Sequence, residues 1–317
     1  MRRGLIIGAA LAAAAGAALW GAASSSVVRG GAEVLRNARL ASAYVASELC
    51  YGVLLQRRSE ADVRAAELGP YMDDALSWFG ARIDRENGEV RASLYGLFPV
   101  QYGMRADGSC ARDVEGAGPV PDFAAPDPRP WPEGDGLHPN PRALVPDYDG
   151  LVEAVEAEFE PFPSGASRGA RSVLVIHRGR LVYERHAPGW DRSIPQNGQS
   201  NTKVLNSLLA GMIIGADQIA LDGTGLRPEW TDARADISLR HLLHMESGLD
   251  WRENNVTGDP GRASLLAPSA SDYAAAKPLR HPPGARFYYS GGDSVIIPAV
   301  LQARAGLTDK ATSMTEI

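Results

Sequence analysis

The chain has 317 residues, of which 44% are hydrophobic and 22% charged, a composition that suits a globular protein with a sizeable core. The 32 basic and 38 acidic side chains leave a net charge of −6. With no cluster of Lys and Arg beyond short pairs, this balance argues against nucleic acid as a partner.

At the N-terminus Met1-Arg2-Arg3 precedes an Ala/Leu/Ile/Gly run over residues 4–23, then Ser24-Ser25-Ser26. Two arginines before an apolar run predict export. Residues 1–26 then serve either as a signal peptide cut near Gly21-Ala22-Ala23 or as a retained anchor, because the run is long enough to span a bilayer. The destination is periplasmic, secreted or membrane-tethered. Only two cysteines occur, Cys50 and Cys110. An even pair in an exported chain predicts one disulfide.

Residues 27–116 read as an N-terminal region. Val34, Leu35, Leu40, Tyr44 and Val45 recur at helical spacing between Ala32 and Glu48, and residues 59–67 look like a capped surface helix. Gly88 to Met104 alternates as a strand does. Nine prolines between 119 and 146 mark residues 117–148 as an extended connector. A further domain is expected over 149–317. Asp149-Gly150 should cap a short helix, Leu151 to Phe159. Two β-rich runs around Gly179, from Ser172 to Arg185, predict a hairpin. A loop, His186 to Gln199, leads on to Ser200.

Ser200-Asn201-Thr202-Lys203 carries the strongest chemical signal. A serine and a lysine three apart share one face of a helix's first turn. Free N–H groups and the helix dipole there favour a neutral lysine, able to take the serine proton, and stabilise the alkoxide. Apolar residues at 204, 205, 208, 209, 212 and 213 predict that this helix is largely buried. The chain has three lysines, Lys203, Lys277 and Lys310, against 29 arginines, so Lys203 is not common surface filler. A serine N-cap followed by a solvated lysine would give the same spacing, and the pair alone leaves both readings open. No cysteine and no Gly-x-Ser-x-Gly elbow competes with Ser200 as nucleophile.

Downstream, Ser238 to Met245 predicts an amphipathic helix ending at Ser247-Gly248-Leu249. Pro282-Pro283-Gly284 turns into Arg286-Phe287-Tyr288-Tyr289-Ser290-Gly291, and a last helix should run from Ser294 to Ala305. His241 and His244 are three apart on a helix, but no carboxylate ligands accompany them. Packing or surface roles are expected and no metal or cofactor. Asp236 and Glu246 read as surface and helix-end residues, Asp293 as a cap on the last helix.

The hairpin, the Ser-x-x-Lys helix, Leu-Arg-His-Leu-Leu-x-Met-x-Ser-Gly-Leu and Pro-Gly-x-x-Phe-x-Tyr-Ser stand in one order. That set, from about Val173 to Leu307, resembles the serine β-lactamase and penicillin-binding-protein superfamily. It looks most like the class C-type branch with its esterases and 6-aminohexanoate-dimer hydrolases. The resemblance implies an α/β (α+β) fold, an antiparallel sheet with a helical subdomain. It implies Ser200 as acylated nucleophile, Lys203 as its proton acceptor and Tyr289 as second base or relay. Alternation from Phe287 selects Tyr289 over Tyr288. The implied function is serine hydrolysis of a small ester or amide substrate through an acyl-enzyme. Two departures stand out. Gly291 occupies a position where many relatives carry Asn or Ser, which removes a side-chain donor. No Lys-Thr-Gly or His-x-Gly strand follows Tyr289, so the expectation is a C-terminally truncated chain with an incomplete sheet. The alternative function is then an impaired or non-catalytic, ligand-binding relative of the same fold.

Overall fold

The computed structural model describes residues 25–106, 108–116, 125–165, 167–254 and 258–306. The N-terminal run expected to direct export, the site of its cleavage and Lys310 lie outside these residues. Among the described residues no helix is long and apolar enough to cross a membrane. The architecture mixes helices with two antiparallel sheets. The chain divides into two compact units, Met1–Val120 with Gly198–Ile317 in one and Pro121–Asn197 in the other.

In the first unit, helix α1 (Ser25–Leu49) passes into a π-turn, Cys50–Leu55. Its small and branched residues Ala43, Ala46, Leu49 and Val53 are buried against a four-stranded sheet. The strands β1 (Phe79–Asp84), β2 (Glu89–Leu94), β3 (Leu97–Met104) and β4 (Cys110–Arg112) pair in that order, each antiparallel to the next. Val90, Ala92, Val100 and Tyr102 alternate with exposed positions and face α1, as period-two patterning requires. Ser59 caps the short helix α2 (Glu60–Val63) by accepting the Asp62 N–H. Cys50 and Cys110 are joined in a disulfide across 60 residues, tying the end of α1 to β4. The second part of this unit is a helical layer with its own core of Ile237, Leu239, Leu242, Trp230, Trp251 and Ile296. Leu265 and Leu266 reach from it to the α1 core, and Arg112 donates to the Leu265 carbonyl.

The second unit holds a helix and a hairpin. Helix α3 (Tyr148–Ala157) is capped by Asp147, whose carboxylate accepts the Gly150 N–H, and not by Asp149-Gly150. An aspartate immediately before the first turn offers its side chain to the free amides three residues on. Asp149 sits inside the turn and pairs with Arg142. Strands β5 (Ser172–His177) and β6 (Arg180–His186) form the hairpin. Arg178 and Gly179 are both left-handed, φ 50° and 72°, which matches a two-residue turn to the strand twist. Glu156 of α3 accepts from Tyr183 Oη at 2.7 Å and from Arg185. No third strand joins β5 and β6 among the described residues.

Candidate active site

Ser200 does not itself open the helix. It sits in one turn of 3-10 helix, Gln199–Asn201, that leads into α4 (Thr202–Gly215). Gln199 is left-handed at φ 43°, a conformation that side chains other than glycine seldom adopt. The turn is closed by Asn201 N–H donating to the Gly198 carbonyl at 2.8 Å and by Thr202 Oγ1 donating to the Gln199 carbonyl at 2.7 Å. This presents Ser200 on the surface with Lys203 one turn further on. Lys203 Nζ donates to Ser200 Oγ at 3.0 Å.

The expectation of a largely buried α4 is not met. Val204, Leu205, Leu208 and Met212 are exposed, Val204 at 62% and Met212 at 69%. The helix is apolar on both sides and uses only one of them. Leu209, Ala210 and Ile213 pack into the helical core, while Asn206 donates to the Ser294 carbonyl at 2.9 Å and docks α4 on the last helix. Apolar spacing alone does not distinguish a helix with one covered face from a helix with two.

Tyr289 approaches from the other side. Residues 286–290 belong to no helix or strand. They are held where Tyr288 N–H donates to the Met245 carbonyl at 3.0 Å. Tyr289 Oη donates to Ser200 Oγ at 2.8 Å. Tyr288 turns away, its Oη accepting from Glu253 N–H at 3.4 Å. Lys203 Nζ also lies 5.0 Å from the centre of the Tyr289 ring. The hydrogen bond to Ser200, then that to Lys203, hold the Tyr289 phenol below its ordinary pKa, against opposing pushes from burial and, more weakly, from the Glu253 charge.

Helix α5 (Gly291–Arg304) fixes this segment from beneath. It begins three residues before the expected start, because Ser290 is the residue that caps it. Ser290 is extended, at φ −136° and ψ 109°, and its Oγ accepts the Asp293 N–H at 3.0 Å. Asp293 is therefore not the cap. Its carboxylate is almost fully buried and accepts from Ser247 Oγ at 2.7 Å, Ser290 Oγ at 2.9 Å and Ser247 N–H. Burial pushes its pKa up to about 6, beyond what these hydrogen bonds offset.

Glu253 was hidden within a loop rich in Asn and Gly. Its Oε2 accepts the N–H of Gly291, the first amide of α5, at 2.6 Å, and also the indole N–H of Trp251. A Cβ at position 291 would stand 3.2 Å from both carboxylate oxygens. The partner lies 38 residues away, so no local pattern announces the contact. His241 Nδ1 accepts from Ser238 N–H and completes a capping box with the Ser238 side chain. Among the described residues no group of three His, Cys, Asp or Glu could hold a metal ion.

The profile of the β-lactamase family matches residues 155–316, a stretch that contains Ser200, Lys203 and Tyr289. No curated protein matches the chain. Among solved structures, a protein described as a 6-aminohexanoate-dimer hydrolase from Bacillus anthracis is similar at 18% identity with a TM-score of 0.40. That similarity covers 49% of this chain and 43% of the other, so the chain spans less than half the length of that protein.

Proposed function

This chain belongs to the β-lactamase family, and from that premise we propose that it is a serine hydrolase cleaving an ester or amide through an acyl-enzyme on Ser200. One observation carries the reading. Ser200 Oγ receives hydrogen bonds from Lys203 Nζ and Tyr289 Oη together, at 3.0 and 2.8 Å. A serine at the mouth of a helix with two titratable groups on its oxygen is equipped to lose a proton as it attacks.

In the forward step Ser200 Oγ bonds to the substrate carbonyl carbon. Its proton passes to the member of the Tyr289–Lys203 pair that is in its basic form, and the lowered pKa of the phenol favours the Tyr289 phenolate for that role. The Ser200 backbone N–H, near the positive end of α4, offers a donor to the developing oxyanion. Collapse of the tetrahedral species breaks the bond to the leaving alcohol or amine, which takes the proton from the same pair. Water then repeats the sequence on the acyl ester and frees Ser200. Export of the protein fits this reading as well, since the Cys50–Cys110 disulfide is stable in an oxidising compartment.

Intact-mass analysis after treatment with a fluorophosphonate or a β-lactam tests the proposal. One adduct per chain is expected, mapped to the peptide holding Ser200 and absent in Ser200→Ala. An adduct that survives in Ser200→Ala overturns it.

A further inference from the structure

We propose that Glu253 sets the charge of the substrate, so that the site takes esters or amides bearing an ammonium group and turns away those bearing a carboxylate. The inference rests on the hydrolase reading above and deepens it.

Three observations carry it. The first amide of a helix is where a substrate carboxylate would be drawn, because its N–H is free and the dipole is positive there. In this chain that amide, Gly291 N–H, already donates to Glu253 at 2.6 Å. The protein's own carboxylate fills the place, two residues from Tyr289. Second, the room for it comes from Gly291. Any side chain there would bring its Cβ to 3.2 Å from both oxygens of Glu253, so the residue that removes a side-chain donor also admits the carboxylate. Third, the charge stays uncompensated. The hydrogen bonds that Glu253 Oε2 accepts come from neutral groups, the Gly291 amide and the Trp251 indole. Among the described residues no ion pair includes it, and the side chain is only partly buried. Its charge lies near enough to the Tyr289 phenol to push that group's pKa up, though less than burial does.

A substrate lying over Ser200 toward Tyr289 and the start of α5 therefore meets a fixed negative charge. At half-exposed separations of several ångströms this amounts to about fivefold in rate for a favourable charge and a similar penalty for an unfavourable one. The effect should be screened by salt.

The experiment compares p-nitrophenyl esters of one acyl length ending in trimethylammonium, tert-butyl or carboxylate. Relative kcat/KM is measured in the full chain and in Glu253→Gln, whose amide oxygen can still accept from Gly291 and Trp251. Ratios within each protein are read, so a general change in activity cancels. In the wild type the ammonium ester should lead the tert-butyl ester by about fivefold and the carboxylate ester by more than about tenfold at low salt. In Glu253→Gln these ratios should fall to within about twofold, and high salt should shrink them in the wild type alone. Equal ratios in the two proteins, or a wild-type preference for the carboxylate, overturn the proposal. A parallel thermal-shift titration with tetraethylammonium keeps the two readings apart. A shift lost in Glu253→Gln while no ester is turned over leaves the cation site standing and removes the hydrolase reading. No shift and no turnover removes both.

Discussion

At the scale of single residues the proposed chemistry depends on who holds the proton around Ser200. Tyr289 has its phenol lowered by Ser200 and Lys203 and raised by burial and, to a smaller degree, by Glu253. The rising limb of a pH–rate profile should therefore lie below the ordinary tyrosine value of about 10. Tyr289→Phe should lower kcat/KM by roughly two to four orders of magnitude and abolish that limb. Glu253→Gln should move the limb to lower pH, because removing a nearby negative charge makes the phenolate easier to form. Steady-state rates on an activated ester check all three. Much of this was legible in the chain. Ser-x-x-Lys spacing places two side chains on one turn, and Tyr289 and Tyr288 reach different partners, Ser200 Oγ and the Glu253 N–H, even though no strand forms. Glu253 was not legible, since its significance comes from an amide 38 residues distant and from a glycine that makes room.

At the scale of elements, the start of α5 carries a buried group whose charge depends on pH. Asp293 there is buried with Ser247 and Ser290, and its pKa of about 6 lies above that of an exposed aspartate. The folded protein thus binds this proton more tightly than the unfolded chain does. The resulting stability is fully present below about pH 4 and is lost as pH rises through about 6, a loss of roughly 3 kcal/mol. Other carboxylates, such as Asp259 beside Lys277, are shifted down and pull the other way. The informative quantity is therefore the difference between wild type and Asp293→Asn. Between about pH 4 and pH 7 the wild type should lose stability relative to the variant, as followed by denaturant melts at each pH. A flat difference would show that folding does not raise the Asp293 pKa. Helix and hairpin positions were largely visible in the apolar periodicity. Their ends were not, because Asp147 and Ser290 act as caps through contacts with backbone amides that several nearby polar residues could equally have made. The exposure of α4 was hidden for a different reason, namely that a run apolar on both faces carries no mark of which face is covered.

At the scale of the whole molecule, residues far apart in sequence share one unit. The α1–sheet layer and the helical layer meet where Leu265 and Leu266 pack on the α1 core, and the Cys50–Cys110 bridge lies in the first of these layers. Closing a loop of this length restricts the unfolded chain by about 4 kcal/mol. Cys50→Ala/Cys110→Ala should lower stability by about 3–4 kcal/mol. Because the two layers belong to one unit, the loss should appear in a probe near Ser200 as well as in the sheet. Thermal melts followed by a label on each layer test this, and two separate transitions would show that the layers unfold independently.

Pro121–Asn197 intervenes in the chain between the two parts of the unit that contains Ser200. On a ribosome the layers are therefore delivered at different times. Strands β1 to β4, α1 and both cysteines have emerged before Ser200 is made, and the residues that dock on α1, Leu265 and Leu266, come later still. Oxidation of the bridge need not wait for the half that contains Ser200. Ser200 and Tyr289 come together later than the sheet, since domains form as their sequence becomes available and contacts of long separation close late. A nascent protein can thus carry a finished, cross-linked sheet for many seconds while its Ser200 does not yet have the tyrosine it is meant to meet.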